Sequence, residues 1–243
     1  MEYQVDIVVP VYNEPENLPV FYEYIARHVA STWRMLVVYD FAEDTTLPVL
    51  KEIASRDPRV IPILSPQGGV LNATKTGFAR AESTAVLELA VDDSPTVLEK
   101  IDDLVRIFYA ENATIVALSR YMPGGKREGG PRIKAFISRF ACLSLRWLTG
   151  IPTHDATYTD RLYRRSFLQS ITIESTRGLE IALEITVKAH AQGEKIIEIP
   201  VHWSDRTVGV SRFKVLEWMP AYFRWYWYGI KTYWAKRLGL KKS

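Results

Sequence analysis

The chain has 243 residues, 47% of them hydrophobic, and a formal net charge of +3. That is enough apolar material for one substantial α/β core, and it excludes a disordered chain. A single cysteine, Cys142, rules out an intrachain disulfide and fits a reducing compartment.

The net charge hides an asymmetry. Residues 211–243 hold eight Lys/Arg and one Glu, a balance of +7, whereas the rest of the chain carries −4. A mildly acidic body with a basic end predicts that the end meets something anionic. Met1 to Gln4 lack a basic stretch followed by an apolar run, so no signal peptide is expected. No run of about 18 apolar residues occurs, so no spanning helix is expected.

In chain order, Gln4 to Pro10 alternates and then runs apolar, as a buried strand does. A polar turn follows at Asn13 to Asn17, then a helix over Leu18 to Ala30. Met35 to Tyr39 reads as a strand ending at Asp40, Leu47 to Ser55 as a helix, and Val60 to Leu64 as a third strand. Pro66 to Gly69 is a loop, Leu71 to Ala81 a helix, Ala85 to Val91 a strand, Thr96 to Tyr109 a helix and Thr114 to Leu118 a strand. This alternation predicts a mostly parallel sheet covered on both faces. Such sheets bind ligands at the carboxyl ends of their strands. Pro10, Asp40, Asp92 and Ser119 all fall at those ends, which points to a single site.

Beyond Ser119 the pattern changes. Met122 to Arg132 is loop-like, Ile133 to Leu148 helical and Thr153 to Thr159 polar. Leu179 to Ala191 is helical with Gly193 as its stop, and Ile196 to Val201 is a strand. Phe213 to Trp234 is dense in Trp and Tyr, with basic residues among and after them. Trp and Tyr favour the membrane interface and Lys/Arg favour anionic head groups, so this segment is expected to lie on a bilayer. An aromatic helix packed on the protein body is the alternative. No nucleic-acid motif accompanies the charge.

Four groups of residues carry chemistry. Val9-Pro10-Val11-Tyr12-Asn13-Glu14 puts a polar loop after the first strand, although a simple strand-to-helix turn reads the same way. Asp40 ends the second strand, and Asp44 or Thr45 suits a helix cap. Asp92-Asp93 offers oxygen ligands of the kind that hard divalent ions prefer, and an Asp helix cap before Ser94-Pro95 is the bland reading. Glu88, inside the strand, is a weaker candidate. Arg120, Arg132, Arg139, Arg206, Arg212 and Lys214 are potential phosphate ligands.

Taken with Ser119-Arg120-Tyr121-Met122-Pro123-Gly124-Gly125, Asp155 to Arg165 and Asp205 to Lys214, these segments resemble the polyprenyl-phosphate (dolichol-phosphate mannosyltransferase-like) branch of the family 2 glycosyltransferases. The resemblance runs from about Val5 to Lys214. It implies a GT-A-type three-layer α/β/α sandwich with a mostly parallel central sheet. It also implies inverting transfer of a hexose from a nucleotide-diphosphate sugar to a polyprenyl phosphate, with Mg²⁺ or Mn²⁺, at the cytoplasmic membrane face.

On the matching positions, Pro10, Tyr12, Glu14, Asp40 and Asp92 are expected to bind the nucleotide. Asp93, with Asp92, is expected to hold the metal, and Asp155 and Arg161 to act in catalysis. Arg120, Arg132, Arg139, Glu184, Arg206, Ser211 and Lys214 are expected on the phosphates or the acceptor. Residues 1–210 would be the catalytic domain and 211–243 an amphipathic tail in peripheral membrane contact.

Three departures stand out from the family pattern. Asp-Asp-Ser-Pro replaces Asp-x-Asp, the Gly-Ser usual after Asp40 is missing, and Asp160 stands where an aromatic or apolar residue is usual. The first two motivate one alternative, a relative that has lost turnover and serves as a binding or scaffold protein, and a transferase with a non-lipid acceptor is the other.

Overall fold

The computed structural model describes residues 4–130, 132–204 and 215–240. The first half alternates as expected: β1 (Val5–Pro10), α1 (Asn17–His28), β2 (Trp33–Tyr39), α2 (Leu47–Arg56), β3 (Val60–Leu64), α3 (Val70–Arg80) and β4 (Ala85–Glu88). The expected helix from Thr96 to Tyr109 is broken at Glu99–Lys100 into α4 (Pro95–Leu98) and α5 (Ile101–Ala110). Then come β5 (Ile115–Ser119), β6 (Lys126–Glu128), α6 (Arg132–Thr149), β7 (Arg161–Arg164) and α7 (Arg165–Ser170). The described chain closes with α8 (Ile181–Gln192), β8 (Ile196–Pro200), β9 (His202–Ser204) and α9 (Val215–Arg237).

Among the described residues a seven-stranded sheet runs in the order β3-β2-β1-β4-β7-β5-β8, and β6 pairs with β9 in a separate ribbon. Every pairing in the large sheet is parallel except those of β7, which is antiparallel to β4 and β5. Strand residues two apart share a face. Val5, Ile7 and Val9 therefore pack with α1, α2 and α5 in one core, while Val8 packs with α3, α6, α7, α8 and α9 in the other. Each fully buried Val, Leu or Ile contributes roughly 1.5–3 kcal/mol over leaving it in water.

Asp6, fully buried on β1, ties the amino ends of the strands together. It accepts from Arg34 Nε at 2.9 Å and Nη2 at 2.8 Å, and from the backbone N–H groups of Glu82 and Ser83 at 2.6 and 3.0 Å. Burial opposes its charge, but Arg34 and these N–H donors win and hold the carboxyl below the ordinary Asp range. Gly77 lets α3 sit close on the sheet, since a Cβ there would meet Val8 Cγ1 at 2.3 Å. Gly193, at φ +79°, ends α8 in the left-handed cap expected of it.

Other features differ from the sequence reading as well. β7 was hidden because only Leu162 and Tyr163 separate its flanking arginines, too short a run to show alternation. The aromatic end is also no simple tail. α9 packs on α8 and α6, Trp225 is 2% exposed, and a Cβ at Gly229 would meet Val187 Cγ1 at 2.9 Å. Within the expected 211–243 segment, one face of α9 is thus packed on the second layer.

Candidate active site

A cavity of about 520 Å³ opens where β1, β4 and β5 end, closed by α6, the 157–160 turn, β9 and α9. Of the sequence candidates, Pro10, Tyr12, Glu14, Asp92, Asp93 and Arg120 all line it. Asp40, Asp155, Arg161, Arg139 and Glu184 do not.

The first loop is held by its neighbour. Asn13, at φ +56°, receives Thr45 N on its side-chain oxygen at 3.1 Å and donates its own N–H to Asp44 Oδ1 at 3.1 Å. Glu14 N donates to Thr46 Oγ1 at 2.8 Å. Asp44 thus serves the loop as much as its own turn, where it accepts from Thr46 N at 2.8 Å. Asp40 accepts from Gly69 N at 2.7 Å, next to the cavity residue Val70, and its Oδ1 is buried with no partner. Burial raises its carboxyl above the ordinary value.

The floor is acidic. Asp93 Oδ2 accepts from Ala90 N at 2.9 Å while Asp93 N donates to Ala90 O at 3.1 Å, so the carboxylate is folded back over its own turn. Asp160 faces it, 1% exposed, with Oδ2 buried and unbonded. Burial, then the charge of Asp160, raises the Asp93 carboxyl well above the usual range, and burial raises that of Asp160. Glu88 lies deeper, 4% exposed, with Thr74 Oγ1 donating to Oε1 at 3.0 Å and Oε2 without a partner. Burial pushes its carboxyl up to about 8. Asp160 escaped the sequence reading as a site residue, although its unusual position was the available signal.

The wall is basic and aromatic. Arg120 is gripped by Asp155 through Nε at 2.7 Å and Nη2 at 3.0 Å, and its guanidinium lies 4.4 Å from the centre of the Tyr158 ring. Asp155 is therefore placed to orient Arg120. Arg161 lies away from the cavity lining. It is fully buried on the α8 face of the sheet and donates to the carbonyls of Tyr158 and Asp155 and to Thr186 Oγ1. Its work is to hold the turn that carries Asp160.

Arg127, on β6, lines the cavity with its Nε buried and unbonded and its guanidinium 5.2 Å from the Trp203 ring centre. No sequence signal distinguished it within a charged, glycine-rich loop.

Glu184 anchors the loop before α8. It is fully buried, accepts from Glu174 N at 2.6 Å and Ser175 N at 2.7 Å, and pairs with Lys188 at 2.6 Å. Glu180 similarly takes the N–H groups of Thr176, Arg177 and Gly178. Arg139 is exposed on α6, away from the cavity lining. Arg132 opens α6, and Arg206, Ser211 and Lys214 lie outside the described residues.

Similarity to known proteins identifies the family. A family model for glycosyl transferase family 2 matches residues 6–172. The chain belongs to glycosyl transferase family 2. It is 29% identical over 231 residues to the polyprenol monophosphomannose synthase of Mycolicibacterium smegmatis, covering 87% of this chain and 85% of the relative. It is 28% identical over 213 residues to the undecaprenyl-phosphate mannosyltransferase of Micrococcus luteus, covering 84% and 85%. Among solved structures, the glucosyl-3-phosphoglycerate synthase of Mycobacterium tuberculosis, crystallised with Mn²⁺, UDP and glucosyl-3-phosphoglycerate, superposes with a TM-score of 0.62. That match has 17% identity and covers 99% of this chain and 82% of the other. It shows the shared GT-A fold of this glycosyltransferase.

The cavity floor suits a hard divalent ion. Its donors are carboxylate oxygens, and two buried acceptors there, on Asp160 and Glu88, lack a donor. Among the described residues no group of three His, Cys, Asp or Glu encloses a metal by itself. Mg²⁺ sites in general need only one or two protein carboxylates, with substrate phosphates and water as the other ligands.

Proposed function

We propose that this family 2 glycosyltransferase transfers a hexose, with inversion, from a nucleotide-diphosphate sugar to a polyprenyl phosphate at the cytoplasmic face of a membrane. One observation carries the reading. One cavity is lined both by the Asp92-Asp93 turn and by apolar Ile137, Ala141, Leu179 and Met219. Diphosphate and lipid are the two chemistries that such a lining fits. The named relatives, a polyprenol monophosphomannose synthase and an undecaprenyl-phosphate mannosyltransferase, support the acceptor class.

Pro10, Tyr12 and Glu14 receive the nucleoside, with Asp40 behind them. On the Asp92-Asp93 turn, Asp93 would hold Mg²⁺ or Mn²⁺, and the ion would supply neutralisation of charge on the leaving diphosphate. Arg120, fixed by Asp155, and Arg127 face the phosphates. A phosphate acceptor is already ionised near neutral pH, so the commitment of Asp155 to Arg120 leaves nothing essential undone.

The helix α6 that lines the cavity also exposes Ile133, Phe136, Phe140 and Trp147, and neighbouring α9 exposes Phe223, Trp227 and Trp234. Among the described residues no helix is long and apolar enough to cross a membrane. These faces support peripheral contact with a bilayer that delivers the lipid acceptor.

Calorimetric titration of GDP, UDP and their sugar conjugates, with and without Mn²⁺, tests the reading. Metal-dependent binding of one nucleotide is expected. Silence from every nucleotide would put the non-catalytic scaffold first.

A further inference from the structure

We propose that Asp160, delivered by the turn before β7, is the second protein carboxylate of the metal site and faces Asp93 across the cavity floor. This rests on the glycosyltransferase reading above and concerns how this chain builds the site that reading requires.

Topology places the residue. The antiparallel register pairs Glu88 with Arg161, so Asp160 comes level with Leu89, the residue just before the turn that folds Asp93 back. Its carbonyl accepts from Leu118 N at 3.3 Å, and Arg161 grips the same turn through the Tyr158 and Asp155 carbonyls. The carboxylate is thus built into the frame and not hung from a mobile surface loop.

The environment asks for a cation. Asp160 is 1% exposed and its Oδ2 has no hydrogen-bond donor, although the group lines the cavity. The Arg120 guanidinium nearby is held by Asp155 in a two-point ion pair. Two buried carboxylates that face each other can be accommodated by sharing one proton or by bracketing a cation. A bracketed Mg²⁺ or Mn²⁺ would take two oxygens from the protein and the rest from diphosphate and water. The two departures noted in the sequence, the lost Asp-x-Asp and the acid at 160, thereby fall in one place: a ligand missing from one turn is supplied by another.

The test is Mn²⁺ binding to the full chain, read by electron paramagnetic resonance with GDP or UDP present, beside nucleotide affinity in EDTA. Asp160→Asn is expected to weaken Mn²⁺ by about 10- to 100-fold. In EDTA the same variant should bind nucleotide as well as or better than the parent, because a negative charge facing the diphosphate is gone. A merely structural role would not give opposite signs with and without metal. If the variant melts early, Asp160→Ser provides the same readout. Unchanged Mn²⁺ affinity in the Asp160 variant, with loss in Asp93→Asn, overturns the inference and leaves the reading intact. No Mn²⁺ binding by the parent chain with either nucleotide overturns both.

Discussion

Asp155 and Arg120 form a two-point ion pair at 2.7 and 3.0 Å, in which the carboxylate is fully buried and the guanidinium reaches the cavity. Removing the carboxylate by Asp155→Ala leaves a nearly buried cation uncompensated, a loss of about 3–5 kcal/mol. Asp155→Asn retains the shape and part of the bonding, so it should cost less stability. Arg120 would then be misaimed, and a fall in kcat/KM on the order of 100-fold is expected. Chemical denaturation and steady-state kinetics on both variants check this. Full activity in Asp155→Asn would remove the orienting role.

Arg161 makes the same distinction between holding and reacting. Its guanidinium reaches two carbonyls and a hydroxyl inside the protein, an arrangement that a lysine ammonium cannot reproduce. Arg161→Lys should therefore lower unfolding free energy by several kcal/mol, about the cost of leaving buried acceptors unpaired. The folded fraction should keep its nucleotide affinity. An unchanged denaturation midpoint together with a raised KM would return Arg161 to the reaction.

The parts of this protein set by local pattern were legible in its sequence. Val5 to Pro10 reads as a buried strand because its apolar run is long enough, and Gly193 stops α8 because only a left-handed cap fits there. Loop contacts between distant segments were not. Asp155 and Arg161 match a family motif, yet a motif match does not tell a residue that reacts from one that holds the turn. Glu184 looked like a residue on a helix face, and only the 172–178 loop folding over it shows why it is buried. Asp160 was visible as an exception, but its partner Asp93 is far away in sequence and is met only through the antiparallel insertion of β7.

Glu88 gives a pH dependence with a definite sign. Burial pushes its carboxyl from an ordinary value of 4.5 up to about 8. The native state keeps the proton where the unfolded chain has released it, so the native state binds more protons between those values. Stability should accordingly fall as pH rises from 4.5 toward 8 and then level off, as far as this group contributes. Glu88→Gln holds no titrating proton and should flatten that decline, which urea denaturation at several pH values will show. A variant with the parent's full pH slope would mean that another group is responsible.

The membrane proposal also yields a measurement that avoids damaging the fold. Deleting the end of the chain before Trp218 would remove Trp225, a buried core residue, so a failure to float would be uninterpretable. Surface variants are cleaner. Phe136 and Phe140 stack on α6 with ring centres 6.3 Å apart and are 71% and 65% exposed. Neither can contribute much to the folded monomer, whereas inserting each into a bilayer interface is worth roughly 1.5–3 kcal/mol. Phe136→Asp with Phe140→Asp also adds two charges that anionic lipid repels. Partition onto anionic phospholipid vesicles should drop at least about tenfold, with melting temperature nearly unchanged. Activity on a water-soluble, short-chain polyprenyl phosphate should survive, since neither ring lines the cavity. Equal flotation of parent and variant would take α6 off the bilayer.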